Sequence, residues 1–219
     1  MKGLSFSEPM MLAWLAGNKD VTRRLMNPQP DYSLLPPGTL DRPLIWRNGV
    51  CGHALNEWCL QHADTSAGAQ PFAIRRPRYT PGETVYIKET WHLCGADEPD
   101  GSPHTEVIYK ADSAICSFCG KPVKWKSPRF MPEWASRSKA IIVSVRPERI
   151  QEITDEEIAK EGLDVNFHEG GIATASVDLK NKRRYSTARE CFRSLWETLH
   201  PGSWEKNEWG FRYELEKAK

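Results

Sequence analysis

The chain predicts an α+β fold in which a few short helices flank a small barrel or curled sheet. Three observations carry that expectation. Only three segments read as helices, while strand candidates are scattered along the chain. The strands that must pair lie far apart in sequence. Nine tryptophans and sixteen prolines in a chain only 39% hydrophobic suggest a compact core with long, proline-rich loops. At 219 residues, one domain spanning 1–219 is expected, with insertions at about 27–81 and 94–130.

The first helix is expected from Ser7, which can cap it, with Glu8 and Pro9 suiting its first turn. Gly17 suits its left-handed end, and Met10, Leu12, Trp14 and Leu15 supply an apolar face. The helix exit then delivers Lys19, Thr22, Arg23 and Arg24 to one small region, with Val21–Leu25 as a strand. From Asn27 to Pro81 prolines, glycines and polar residues recur without sustained periodicity, as in an insertion or binding segment. Pro81-Gly82-Glu83 is a turn leading into a strand, where Val85 and Ile87 alternate with Tyr86 and Lys88. Thr105 to Lys110 is a further strand, followed by an irregular stretch to Ser138.

Lys139 to Ile150 is rich in β-formers, with Pro147 marking a bend or an edge. Thr154 caps a helix through Lys160, with Asp155, Glu156 and Glu157 where the helix dipole favours acids, and Gly162 ends it. A Gly-rich basic loop from Gly170 to Tyr185 precedes a helix from about Thr187 to Leu199, striped by Cys191, Leu195 and Trp196. Trp209 to Leu215 alternates as a closing strand, with Trp196 and Trp209 as core tryptophans.

Formal charge is +1 and the pI about 7.6, so no global field draws the chain to a duplex, though a local basic patch remains compatible. No apolar run is long enough to cross a bilayer and no basic-then-apolar leader is present, so a cytoplasmic protein with no membrane partner is expected. Six unevenly spaced cysteines would there be reduced or hold metal.

Several segments occur in a recognisable order. They are Gly17-Asn18-Lys19-Asp20-Val21-Thr22-Arg23-Arg24, Pro81-Gly82-Glu83 leading to Glu89-Thr90-Trp91, Met131-Pro132-Glu133-Trp134 with Arg137, Ile153-Thr154 with Glu161-Gly162, and Leu195-Trp196-Glu197. The pattern resembles the ASCH domain superfamily in its phage and prophage version, which implies a PUA-like β-barrel and a nucleic-acid or modified-nucleoside site in its cleft. Small bacterial members are similar to amidohydrolases that remove the acetyl group from N4-acetylcytidine. The resemblance carries their lysine, threonine and glutamate onto Lys19, Thr22 and Glu161.

That chemistry is coherent. A threonine hydroxyl needs an adjacent base to act as a nucleophile, and a desolvated lysine can supply it. Glu161 would orient the lysine or act as acid or base, although a carboxylate beside Lys19 also favours the charged ammonium. Arg23 or Arg24 would stabilise an oxyanion or grip a phosphate. In a regular strand Lys19 and Thr22 would face opposite ways, so a shared site requires a turn at Asp20-Val21.

Glu89, Trp91, Trp134 and Arg137 lie in the same family-like motifs and are expected to bind the base or nucleic acid, RNA ahead of DNA. Basic clusters at Arg75–Arg78 and Lys121–Lys126 adjoin Tyr79 and Trp125, a mixture that single strands favour. Cys116-Ser117-Phe118-Cys119 is half of a tetrahedral zinc site, for which Cys94 and His104 are the expected further ligands, with His92 nearby. Two other functions fit the same pattern. One is a non-catalytic reader of RNA or modified DNA; the other is a phage accessory protein that binds a host protein.

Overall fold

The computed structural model describes residues 1–33, 35, 38, 44–48, 57–64, 70–97, 103–112, 115, 120, 123–167, 173–176 and 184–218. Its architecture is α+β and mostly sheet. The central sheet contains β1 (Lys2–Ser5), β2 (Val21–Leu25), β6 (Thr84–Lys88), β9 (Lys139–Arg149) and β13 (Trp209–Lys217), in the order β1-β6-β9-β13-β2. All neighbours are antiparallel except β1 and β6, which run parallel with Leu4 opposite Ile87. Among the described pairings β1 and β2 are therefore the edges of the sheet. The Arg24 guanidinium reaches across from β2 to donate to the Ser5 carbonyl at 2.6 Å.

The short strand β1 is absent from the pattern read in the sequence, and the helix α1 (Glu8–Ala16) joins it to β2. Gly17 ends α1 at φ 81°, and the Gly17 and Asn18 amides donate to the Trp14 and Ala13 carbonyls. Ser7 occupies the N-cap position but makes no side-chain cap bond. The buried face of α1 is Met10, Met11 and Trp14; Leu12 is only half-buried and Leu15 is exposed, because the helix turns Met11 inward instead. The Trp14 indole donates to Ser138 Oγ at 2.7 Å, which removes the cost of burying its N–H.

Pro147 sits where the sheet tolerates it. Strand β6 pairs with residues 139–141 of β9, so at Pro147 the strand has, among the described residues, β13 alone beside it, with Phe211 opposite. Helix α2 (Asp155–Lys160) and helix α3 (Ala188–Leu199) begin at Thr154 and Thr187, whose hydroxyls accept from the amides of Glu157 and Glu190. From α3, Cys191, Phe192 and Trp196 join β13's Trp209, Phe211, Tyr213 and Leu215 in the main core, with Leu195 packed at its margin.

The two insertions carry more regular structure than their composition announces. Within 27–81, β3 (Leu44–Asn48), β4 (Trp58–His62) and β5 (Ala73–Arg75) form an antiparallel sheet. The second insertion is built on the hairpin of β7 (Trp91–Asp97) and β8 (Pro103–Tyr109). Beyond α2, β10 (Asp164–Phe167), β11 (Ala173–Ser176) and β12 (Arg184–Tyr185) make a third small sheet. No helix of the described residues is long and apolar enough to cross a membrane.

The exit of α1 and the end of α2 meet through Gly162. It holds φ 92°, and a Cβ there would lie 2.7 Å from Ala13 Cβ and 3.2 Å from Lys19 Cβ. Gly17 holds a similar φ of 81° with nothing within 4 Å of such a Cβ. Gly17→Ala should therefore cost about 1 kcal/mol from backbone conformation alone, and Gly162→Ala about 2–4 kcal/mol, since it adds overpacking. Urea unfolding midpoints check this; equal losses at the two sites would refute the close packing at Gly162.

Candidate functional site

Lys19 lies before β2, not within it, and that resolves the question of which way it faces. The Asp20 amide donates to the Lys160 carbonyl at 3.1 Å, and the Asp20 carbonyl accepts from Leu215 N–H at 2.7 Å. The turn is thereby pinned between the end of α2 and β13. Lys19, Thr22 and Glu161 consequently line one cleft of about 620 Å³, bounded on one side by Phe192, Trp196 and Leu199. The apolar wall that α3 supplies was not read as part of a site; its helical spacing signalled only a core face. A separate groove of about 510 Å³ on the other side of the Lys19 turn includes none of the three residues.

All three are buried, at 3%, 4% and 5% exposure. The Lys19 ammonium donates to the Val21 carbonyl at 2.6 Å, the Glu161 carbonyl at 2.7 Å and Glu161 Oε2 at 2.9 Å. Those three bonds use every N–H of a protonated lysine. Burial holds Lys19 below the ordinary lysine range, with Glu161 opposing that shift. For Glu161 burial pushes upward, but Lys19 and Arg23 together hold the carboxyl below its usual range. The Thr22 hydroxyl makes no hydrogen bond among the described residues, in contrast to the saturated lysine beside it in the cleft.

Arg23 borders the cleft, but its guanidinium is taken up within the protein. Its guanidinium is bound to Glu148, to Glu157 and, at 3.0 Å, to Glu161 Oε1, with its side chain 1% exposed. Glu157 also takes Arg146 at 2.8 Å and Arg212 at 2.9 Å. Where a phosphate or an oxyanion was the expected partner of Arg23, the structure shows three carboxylates, Glu161 among them. Glu148 and Glu157 were not foreseen as its partners, since nothing local in the sequence marks pairings more than 120 residues apart. Arg24 remains in the cleft, with the Ser5 carbonyl as its one hydrogen-bond partner among the described residues.

The other expected binding residues lie elsewhere. Arg137 grips Glu89 with two parallel bonds of 2.8 and 2.9 Å, contacts Asp112 and covers the Tyr109 ring at 4.1 Å. Glu89 is 1% exposed and belongs to this structural clamp. Trp91 is buried with Met131 and Ala135 in a small core, under the Lys126 ammonium, so it presents no face to a base. Trp134 stands edge-on to Trp91 and is 66% exposed; it remains accessible, but outside the cleft.

For the expected zinc, Cys94 lies on β7 opposite Glu106, two register positions from the pairing of Ala96 with His104. Cys94 is buried against Ile108, with Val123 and Trp125 alongside. The imidazole of His92 is engaged with the Lys124 carbonyl. Cys116 and Cys119 lie outside the described residues, and among those described no cluster of three metal-ligating side chains occurs. Comparison with protein-family models, curated proteins and solved structures found no match.

Two outcomes follow from the buried charges. Arg23→Met should lose about 3–5 kcal/mol of unfolding free energy, because it removes the buried cation shared by Glu148, Glu157 and Glu161. A loss under 1 kcal/mol by chemical denaturation would contradict that role. Glu161 has a folded-state pKa below its unfolded value of about 4.3. Its contribution is therefore complete above that value and lost as pH falls through the folded one. Glu161→Gln should flatten the acid limb of the stability–pH curve relative to wild type.

Proposed function

We propose that the chain is an ASCH-type protein with a PUA-like core whose cleft binds a modified nucleoside and hydrolyses an amide on it, N4-acetylcytidine being the substrate class. The observation that carries this reading is the convergence of Lys19, Thr22 and Glu161 in one cleft. The order of motifs along the chain supports it. The open edges of the described sheet agree with a curled sheet bridged by Arg24, short of a fully hydrogen-bonded barrel.

In this mechanism Thr22 Oγ1 attacks the acetyl carbonyl. Lys19 accepts the threonine proton and passes one to the cytidine N4 as the C–N bond breaks. Water then cleaves the threonine ester and releases acetate, restoring the hydroxyl. Lys19 rests as an ammonium, so before it can accept a proton it must hand one to Glu161 along their 2.9 Å bond. Burial of Lys19 eases that transfer, whereas Arg23, by favouring the Glu161 carboxylate, resists it. Arg24 is the cation positioned in the cleft to stabilise the developing oxyanion.

The same geometry supports a second reading, a nucleoside binder without turnover. Lys19 already donates to three acceptors, and as an ammonium it has no lone pair to take the Thr22 proton until it has given up one of its own.

Release of acetate from N4-acetylcytidine by the purified chain decides between them. Turnover should fall at least about 100-fold in Thr22→Ala and in Lys19→Met, and stay within about tenfold of wild type in Thr22→Ser. Binding of the nucleoside with no acetate released would leave the binder as the function. Equal rates in wild type and Thr22→Ala would exclude the threonine nucleophile.

A further inference from the structure

A second cavity of about 670 Å³ opens between the edge strands β1 and β2 and shares Ser5, Arg24 and Arg129 with the cleft. Among the described residues five cations line it, Arg24, Arg76, Arg78, Lys88 and Arg129, and no aspartate or glutamate does. Only Arg76 is paired, with Glu57; the other four have no carboxylate within salt-bridge distance among the described residues. In a chain whose net charge is +1, that is a marked local excess.

The cations are pressed together. Lys88 donates to the Arg129 carbonyl at 2.6 Å, and its stem passes over Gly3, where a Cβ would lie 2.4 Å from Lys88 Cδ. Desolvation, then the charges of Arg78 and Arg129, hold Lys88 below the ordinary lysine range. Two tyrosines complete the wall without adding negative charge. Tyr79 donates to the Gly3 carbonyl at 2.7 Å, and Tyr213 accepts from the Arg78 amide at 3.1 Å. Burial pushes the Tyr213 phenol up to about 12, so it stays neutral beside the cations. Like charges converging with no acid among the described lining are unfavourable until an anion with several acceptor oxygens arrives.

We infer that this basic cavity is a phosphate subsite, and that the ligand of the adjoining cleft is a nucleoside carrying a phosphate, as a nucleotide or within a strand, and not the free nucleoside. The identity of the group in the cleft rests on the proposed function; the phosphate subsite rests on the cavity itself. Exposed Phe130, at 72%, follows Arg129 directly and offers a stacking face to a neighbouring base of a strand.

Fluorescence anisotropy with a labelled single-stranded RNA 8-mer, from 50 to 300 mM KCl, tests the subsite without requiring turnover. Arg78→Ala and Lys88→Ala should each weaken binding by about 3–10-fold. Each should also flatten the slope of log affinity against log salt by about 0.7, as expected for one lost phosphate contact on a single strand. Circular dichroism checks that the variants fold, and Arg78→Lys should restore most of the loss. Wild-type-like affinity and slope in both alanine variants would overturn the proposal. Competition by cytidine 5′- and 3′-monophosphates distinguishes the sources: displacement at micromolar nucleotide marks a mononucleotide site, and none below millimolar marks a strand. In a parallel assay, acetate release from free N4-acetylcytidine should be unchanged within about twofold in Arg78→Ala, whereas release from the acetylated nucleotide or strand should fall. Absence of any acetate release refutes the hydrolase reading alone, and the anisotropy series still decides the subsite.

Discussion

One guanidinium ties the candidate site together. Arg23, on an edge strand, is bound by Glu148 of β9 and by Glu157 and Glu161 of α2 and its exit. Glu161 in turn takes Lys19 from the turn before β2, and Glu157 takes Arg212 from β13. The network thus fixes two sheet strands and a helix end against an edge strand that, among the described residues, has a strand partner on one side only. Ions buried to this degree are costly to desolvate and stabilise chiefly when every partner is present, which makes the cluster specific more than strong.

The same network sets what Lys19 and Glu161 can do. Burial destabilises both charges, and each charge rescues the other; Arg23 shifts the balance toward the carboxylate. A proton moving from lysine to glutamate would cancel two buried charges at once but would strip Arg23 of one of its anions. The Lys19–Glu161 bond is therefore where structure and reactivity compete. Thr22, which is not enlisted in the network, is the member of the trio whose hydroxyl has no competing partner among the described residues.

Elements with strong local signals were legible in the sequence. The cap at Thr154, the glycine at 17 and the alternation through Trp209–Leu215 each specify their structure over a few residues. Strand β1 was not legible, because four residues including a glycine carry no pattern, and its parallel partner is some 80 residues away. The sheet β3–β5 was masked by the prolines and glycines around it. Within the site, the trio was legible through motif order and the turn at Asp20 through the conflict it had to resolve. Arg23, Glu89, Trp91 and Arg137, expected at a ligand, are instead engaged with other parts of the chain, and for one shared reason this was not legible. Residue type announces the ability to bind, but only tertiary contacts show whether another part of the chain has already taken it.

The attachment of the first insertion has a consequence for how such a chain can vary. Gln29 is anchored to both Met26 and Trp209, and Arg75 clasps the carbonyls of Pro28 and Gln29, so the segment between them leaves and returns at one point. For a segment so closed, doubling the length adds only about 0.6 kcal/mol of closure entropy. Arg76 and Arg78 begin immediately beyond the clasp. A change of length between the clasped ends is therefore cheap, provided it spares Tyr32, which takes the Trp209 indole, Trp46, which packs edge-on to Trp209, and Glu57, which pairs with Arg76 of the basic cavity.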